Sequence, residues 1–294
     1  MRMRPTRHSA LAPVMEVFAS VQGEGAFVGE PQVFVRLRGC PLRCRWCDTP
    51  ASWSLDASQA ARIDAKDGAR REPAVASAFQ AAIWVSQCEP GAPRTVSLTG
   101  GEPLMWPEFA SALKRMIAPR RLHLETAGAH PRALERVLAA IDHVSLDLKP
   151  HFDMLAPVPL ATTASEHASR SFDELEHDDG SRPDGELRPD DEPSPTTHEQ
   201  WSAARRACLA LVAGRDAAGK IVVCGDRAAG DYAQLFDEIE EIAPGLPVYL
   251  TPATPMGGAQ APSHALVDEV AEMARDRELR VRIVPQLHRL VRRP

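Results

Sequence analysis

The chain has 294 residues, 44% of them hydrophobic, and a formal net charge of -6. This is long enough for one or two domains with a proper core, and no apolar run approaches the roughly 20 residues of a membrane span. The Arg-containing start lacks the apolar stretch of a signal peptide, and six cysteines without a disulfide-like rhythm fit a reducing compartment. We therefore expect a cytoplasmic protein with no membrane partner.

The acidic residues are concentrated in one segment. Residues 156–200 carry twelve Asp or Glu and three Arg, a balance of -9, so the rest of the chain carries +3. Pro, Ser, Gly and acidic residues dominate this segment, and such a composition buries too little apolar surface to offset the entropy of ordering. We predict a largely disordered acidic insert at about 156–200. A charge of +3 suits an anionic small molecule but is too small to predict nucleic-acid binding.

The first part of the chain predicts an arm, a strand and a loop. Residues 1–13 contain two prolines and no periodicity, which predicts a mobile N-terminal arm. Alternating apolar residues over 33–37 predict a first strand, and residues 51–72 are polar and weakly patterned, as in a loop that covers a site. Residues 14–294 then form one domain, interrupted by the acidic insert.

Beyond this loop the pattern alternates between helix and strand. Such alternation predicts an α/β fold with parallel strands joined by helical crossovers, and ligands bind at the carboxyl ends of such strands. The predicted helices cover residues 73–88, 108–117, 132–141, 201–212, 231–242 and 263–275, and the strands 94–98, 122–126, 143–148, 221–224, 248–250 and 280–284.

Three cysteines directly follow the first predicted strand. Cys40, Cys44 and Cys47 have the spacing C-x3-C-x2-C, which leaves no room for a helix or strand between them, so their thiols must converge on one small object. Thiolates are the ligands of iron–sulfur clusters. Three thiolates hold three corners of a four-iron cube and leave one iron open to a ligand that is not protein.

The alternative is a structural zinc site of the Cys3His type, with His8, His123 or His288 as the fourth ligand. Zinc ligands usually come as two pairs, whereas here a compact triplet stands alone. The remaining cysteines are scattered and are interpreted as small buried hydrophobic residues; they are Cys88, Cys208 and Cys224.

The cysteine triplet resembles the radical S-adenosylmethionine (SAM) superfamily, and further segments narrow the resemblance to the 7-carboxy-7-deazaguanine synthases. These segments are VFASVQGEG at 17–25, the aromatic residue before the third cysteine and the Asp-Thr after it, LTGGEP at 98–103 and QLH at 286–288. The resemblance runs from about residue 14 to the C-terminus, apart from the insert. It implies an incomplete TIM-like (β/α) barrel of the radical SAM type.

The resemblance implies a 4Fe-4S cluster held by Cys40, Cys44 and Cys47, with SAM on the open iron as the source of a 5'-deoxyadenosyl radical. In the Gly-Gly-Glu-Pro turn, glycine lets the backbone approach the methionine end of SAM, and Glu102 could accept a hydrogen bond from its ammonium group. The implied SAM-binding residues are Trp46, Cys47, Asp48, Gly101, Glu102, Asp147 and Lys149, with Ser145 as an alternative to Asp147.

The implied substrate is 6-carboxy-5,6,7,8-tetrahydropterin, which would lose ammonia to give 7-carboxy-7-deazaguanine. Arg36 suits its carboxylate, and a carboxylate such as Glu24 suits the paired N–H donors of its pterin edge. The resemblance also implies Mg²⁺ on the hydroxyl of Thr49. The implied substrate contacts are Gln22, Gly23, Glu24, Arg36, Thr99, His288 and the carboxylate of Pro294.

The resemblance further implies a homodimer and an electron donor such as flavodoxin or ferredoxin. Two other interpretations compete with it. Another small radical SAM enzyme, such as a glycyl-radical activase, would share the cysteines and the Gly-Gly-Glu-Pro turn but would not need Gln22-Gly23-Glu24 or His288. A zinc-stabilised binding module would instead use the acidic insert as its working surface.

Overall fold

The computed structural model describes residues 10–56, 59–89, 94–160 and 187–287. His288, Pro294, most of the predicted arm and residues 161–186 of the predicted insert lie outside this part. No helix among the described residues is long and apolar enough to cross a membrane.

The chain enters the sheet as an antiparallel pair, β1 (Leu11–Val21) and β2 (Pro31–Leu37). β1 was not predicted, and its first residues fall within the predicted arm. Up to Pro13 the strand pairs with β6 (Val75–Ser77), and from Val14 it pairs with β2. The proline, which weakens the strand pattern in the sequence, lies where the strand changes partner and so removes no hydrogen bond from a continuous ladder.

The predicted loop at 51–72 is wrong in part. Residues 61–72 contain an antiparallel hairpin of β4 (Ala61–Ala65) and β5 (Gly68–Glu72), which extends the sheet beyond β1. Arg62 and Arg71 are exposed, while Ala61 and Ile63 are fully buried. The apolar–polar alternation of a strand is therefore present in the sequence. However, its buried residues are too few and too small for the pattern to be recognised among the polar residues around it.

Every helix and strand predicted after residue 72 has a counterpart. The two-residue strands β3 (Arg43–Cys44) and β10 (Met154–Leu155) pair with each other beside the main sheet. The remaining elements are α1 (Ala78–Cys88), β7 (Val96–Gly100), α2 (Pro107–Ile117), β8 (Leu122–Thr126), α3 (Pro131–Val137), β9 (His143–Asp147), α4 (His198–Val212), β11 (Ala217–Val223), α5 (Ala233–Ile242), β12 (Val248–Pro252), α6 (His264–Arg275) and β13 (Val281–Ile283).

The main sheet has the order β5-β4-β1-β2-β7-β8-β9-β11-β12-β13, and all neighbours from β2 to β13 are parallel. Among the described strands no pairing joins β13 back to the other edge, so the sheet is open. The predicted α/β fold with an incomplete barrel is confirmed. The carboxyl ends of the parallel strands lie at one edge of the sheet, where a site forms in such folds.

The described residues at the C-terminal end of the predicted insert are packed against the fold. Leu187 packs against the main core. The Asp190 N–H donates to the Met105 carbonyl at 2.8 Å, and the Glu192 carboxylate accepts from the N–H groups of Arg132 and Ala133, at 3.1 and 2.9 Å, in the first turn of α3. A carboxylate at a helix N-terminus is stabilised by the unpaired N–H groups there. The acidic composition therefore does not imply disorder at these positions.

Helix α4 begins at His198, three residues before the predicted start at 201. The Thr197 hydroxyl accepts from the Gln200 N–H at 3.3 Å, and the Gln200 side chain accepts from the Thr197 N–H at 3.2 Å. This reciprocal capping box fixes the first turn. Its Thr-x-x-Gln signature is present in the sequence at the end of the predicted insert.

Candidate active site

A cavity of about 200 Å³ lies at the carboxyl ends of the parallel strands, beside the loop that follows β1. It brings together every predicted site residue that the structure describes, except Glu102. We call residues 40–49 the cysteine wall. The cavity also contains a set of charged residues that we call the charged wall, namely Glu24, Asp147, Lys149 and Lys220.

Backbone contacts give the cysteine wall its shape. The Cys40 N–H donates to the Trp53 carbonyl at 3.2 Å, and the Cys47 N–H donates to the Cys44 carbonyl at 3.2 Å. Arg43 donates to the carbonyl of Cys40 at 2.7 Å, and its guanidinium lies 4.7 Å from the ring centroid of Trp53. A cation held against a loop carbonyl and an aromatic face stabilises this loop conformation.

The three cysteines form no disulfide and line one cavity. Burial raises the pKa of Cys40 and Cys47 and raises the pKa of Cys44 to about 11. Each thiol therefore carries its proton at neutral pH, and a metal has to displace that proton on binding.

Of the three histidines considered as a fourth zinc ligand, only His123 lies in the described part of the chain. His123, one of the predicted zinc ligands, has its ring Nε2 2.8 Å from the Ser145 hydroxyl and is absent from the cavity lining. Three thiols that face one cavity at separate positions suit the separate iron corners of a cluster.

Two buried polar atoms in the cavity lining also fit a bound ligand. The Trp46 indole Nε1 and the Thr251 hydroxyl are buried and have no hydrogen-bond partner among the described residues. Because buried polar groups are nearly always hydrogen-bonded, both are suited to a ligand with polar edges. SAM is such a ligand, and Trp46 lies within the cysteine wall.

The glycines of the Gly-Gly-Glu-Pro turn allow two backbone segments to touch. A Cβ atom on Gly101 would lie 2.5 Å from the Gly39 carbonyl oxygen, and one on Gly100, whose φ is +128°, would lie 2.3 Å from the Leu37 nitrogen. The turn therefore packs directly against the chain that leads into Cys40. Its glycines are required by this contact, whatever the ligand.

The structure places Glu102 behind the cavity and not in its lining. Its carboxylate is 1% exposed and accepts from the Leu104 N–H at 3.0 Å, the Thr126 hydroxyl at 2.7 Å and the Ala127 N–H at 2.9 Å. These donors belong to the turn itself and to the end of β8. In this arrangement Glu102 fixes the turn to β8, and the predicted contact with the SAM ammonium group stays a prediction.

The charged wall is a chain of alternating charges. Lys220 Nζ lies 2.6 Å from Glu24 Oε2 and 3.0 Å from Asp147 Oδ1, and Lys149 Nζ lies 2.8 Å from the other oxygen of Asp147. The Lys149 ammonium also lies 4.1 Å from the ring centroid of Trp46. Although burial alone has the opposite effect, Lys149 and Lys220 hold the pKa of Asp147 below its usual value. The carboxylate is therefore ionised.

A further carboxylate, Glu125, faces the same cavity near the end of β8. One of its oxygens accepts from Gln22 at 2.7 Å and from Ser97 at 2.5 Å, and the other accepts from Thr99 at 3.2 Å. The predicted contacts Gln22 and Thr99 are thus both attached to Glu125. Sequence analysis did not select Glu125, although a carboxylate near the carboxyl end of a predicted parallel strand is a recognisable signal.

The magnesium prediction does not fit the residues as they stand. The Thr49 hydroxyl donates a hydrogen bond to Asp48 Oδ1 at 2.9 Å and accepts one from the Arg36 guanidinium at 3.3 Å. A fixed cation at this distance opposes the binding of a second one. Arg36 is held in place by Glu16 at 2.7 Å, a residue that sequence analysis did not select.

Residues 34–153, which contain the cysteine loop, match the Radical SAM superfamily. In sequence, the chain is similar to several 7-carboxy-7-deazaguanine synthases. It is 38% identical to the enzyme of Methanothermobacter thermautotrophicus over 142 residues, which are 47% of this chain and 49% of the relative. For the enzyme of Geobacter sulfurreducens the identity is 36% over 154 residues, with shares of 47% and 57%. The chain thus spans about half the length of the curated relatives that it matches.

Two solved structures share the fold. QueE from Escherichia coli has a TM-score of 0.50 at 17% identity, with 93% of each chain covered. A radical SAM methyltransferase from Sphaerobacter thermophilus has a TM-score of 0.52 at 15% identity, with 87% of this chain and 66% of that chain covered. At these identities the likeness concerns the fold alone.

Proposed function

We propose that the protein is a radical SAM enzyme that converts 6-carboxy-5,6,7,8-tetrahydropterin to 7-carboxy-7-deazaguanine with release of ammonia. The observation that carries the proposal is one cavity lined by the cysteine triplet together with Glu24, Glu125 and Arg36. The sequence similarity to 7-carboxy-7-deazaguanine synthases supports the same reaction.

Cys40, Cys44 and Cys47 would hold the 4Fe-4S cluster, and Trp46, Asp48, Gly101 and Lys149 would lie along SAM. When bound, these two groups supply a carbon-centred radical. The contribution of this chain is to position the ligands and to keep water out of the cavity. Lys149 suits the role because its ammonium is already held against Trp46, next to the third cysteine.

For the substrate, carboxylates of the cavity would accept from the paired N–H donors of the pterin, and Arg36 would bind its carboxylate. Both kinds of group are oriented in advance, Glu125 by Gln22 and Arg36 by Glu16. Such orientation lowers the entropic cost of binding. His288 and Pro294 remain predicted substrate contacts.

The remaining parts of the proposal rest on the resemblance or, for the cytoplasmic location, on the composition of the chain. They are a cytoplasmic homodimer, an electron donor such as flavodoxin or ferredoxin, and a dependence on Mg²⁺. Because the guanidinium of Arg36 lies against the Thr49 hydroxyl, no step of the proposed reaction is assigned to the metal. Addition and chelation of Mg²⁺ in the assay test this dependence.

The test is an anaerobic assay of the reconstituted protein with SAM, a reductant and the carboxytetrahydropterin, read by mass spectrometry. We expect a product lighter than the substrate by one ammonia, with SAM regenerated rather than consumed. A brown protein that cleaves SAM but leaves the pterin unchanged would favour another radical SAM enzyme. A colourless protein that binds zinc in place of iron would favour the binding module.

A further inference from the structure

Lys220 lines the cavity but is not one of the site residues that the sequence predicts. It lies at the centre of β11, and its ammonium bridges two carboxylates that are far apart in sequence. Glu24 belongs to the loop after β1, on the proposed pterin side. Asp147 ends β9, on the proposed SAM side. Lys220 is thus the contact between the two sides of the cavity.

We propose that Lys220 is a positioning residue that holds Glu24 in the orientation required to bind the donor edge of the pterin. The proposal rests on the proposed function and deepens it. Glu24 Oε2 lies on Lys220, and Glu24 Oε1 accepts from Gln286 at 2.5 Å. With one oxygen on a cation and the other on an amide, the carboxylate plane is fixed before a ligand arrives.

Lys220 is itself held in place from the other side. Asp147 binds Lys220 with one oxygen and Lys149 with the other. Although burial by itself lowers it, Asp147 and Glu24 hold the pKa of Lys220 well above its ordinary value. The Lys220 side chain is therefore a charged ammonium group at neutral pH.

Loss of the ammonium has a specific consequence. Glu24 and Asp147 share one cation, so without it two carboxylates face each other in a partly buried site and repel. Glu24 would then turn away from its position, since Gln286 alone offers only a neutral hydrogen bond. Removal of one charge-assisted hydrogen bond corresponds to a loss of about tenfold or more in pterin affinity.

The experiment measures binding of the carboxytetrahydropterin to the reconstituted holoprotein by equilibrium dialysis, with iron content and melting temperature recorded for each variant. The variants are Lys220→Met, Lys220→Arg, Glu24→Gln and the double variant of Lys220→Met with Glu24→Gln. Lys114→Met is the matched control, because Lys114 is also paired with a carboxylate, Asp142 at 2.5 Å, but does not line the cavity.

We expect wild-type iron content in Lys220→Met, pterin binding weaker by about tenfold or more, and partial recovery in Lys220→Arg. Because Lys220 acts through Glu24, the double variant should bind hardly more weakly than Glu24→Gln alone. Lys114→Met should bind as the wild type does.

Fully additive losses in the double variant would overturn the inference, since Lys220 would then act independently of Glu24. Wild-type affinity in Lys220→Met would also overturn it. If Lys220→Met does not fold or load iron, Lys220→Gln is measured by the same criteria. A wild-type protein that neither binds nor converts the pterin would instead overturn the proposed function, and the inference with it.

Discussion

The cysteine wall is shaped mainly by its main chain, whereas the charged wall is shaped by side chains that bind one another. Backbone hydrogen bonds and a glycine contact hold the cysteines. In the charged wall, Lys220 meets Glu24 across 196 positions of sequence.

The difference corresponds to what each wall would bind. A cluster needs a loop of fixed geometry whose thiols are left for iron, and a backbone framework provides one. A polar substrate needs charged groups that are already oriented and can accept one more partner. We therefore expect changes in the cysteine wall to remove the cofactor, and changes in its supports to reduce stability.

The largest effect is expected from Cys44→Ala. Loss of one of three thiolates should abolish iron loading and turnover, measured as iron per chain and product by mass spectrometry. Cys208→Ala is the control, because Cys208 is fully buried outside the cavity with its thiol on the Gly128 carbonyl, and it should load iron normally. Retention of iron and activity in Cys44→Ala would refute the cluster site.

Gly101→Ala tests the main-chain support of the cysteine wall. Its Cβ would lie 2.5 Å from the Gly39 oxygen, so the loop must shift, at a cost of about 1–3 kcal/mol in unfolding free energy. We expect most iron loading to be lost. Gly230→Ala, where a Cβ meets nothing within 4 Å, should behave as the wild type. Equal iron content in both variants would show that this contact does not matter.

Glu102→Gln separates support from ligand binding. The amide would place its N–H groups against an N–H or O–H donor. This should lower the free energy of unfolding, measured by urea denaturation, by about 1–3 kcal/mol. The control is Glu108→Gln, on the exposed side of α2, which should change the free energy of unfolding only slightly. If Glu102→Gln keeps wild-type stability and loses only SAM affinity, the carboxylate binds SAM as the sequence predicts.

The smallest effect is expected from Glu192→Ala, which leaves both walls untouched. Loss of the carboxylate at the start of α3 should cost about 0.5–2 kcal/mol of stability and leave iron content unchanged. Asp191→Ala, at the exposed neighbouring position, is the control. Identical unfolding curves for the two variants would show that this segment contributes nothing to folding.

The sequence predicts the parallel elements and the cysteine triplet well because their signals are local. Strand β8, for example, coincides with the predicted strand at 122–126. The sequence does not predict the hydrogen-bond partners of the site. The attachment of Gln22 to Glu125 arises across 103 positions, and nothing in either neighbourhood encodes it. For Glu102, the resemblance suggests a ligand contact, whereas the fold uses both oxygens for internal donors.

The two described ends of the acidic insert set limits for engineering. On the N-terminal side, Met154 pairs with Cys44 and the Val158 N–H donates to the Pro41 carbonyl. On the C-terminal side, Asp190 donates to Met105, in the turn behind the glycines. A shortened or tagged variant therefore has to keep residues 154–160 and 187–197. A deletion designed from acidic composition alone would cut through contacts of both loops that form the cysteine side of the cavity.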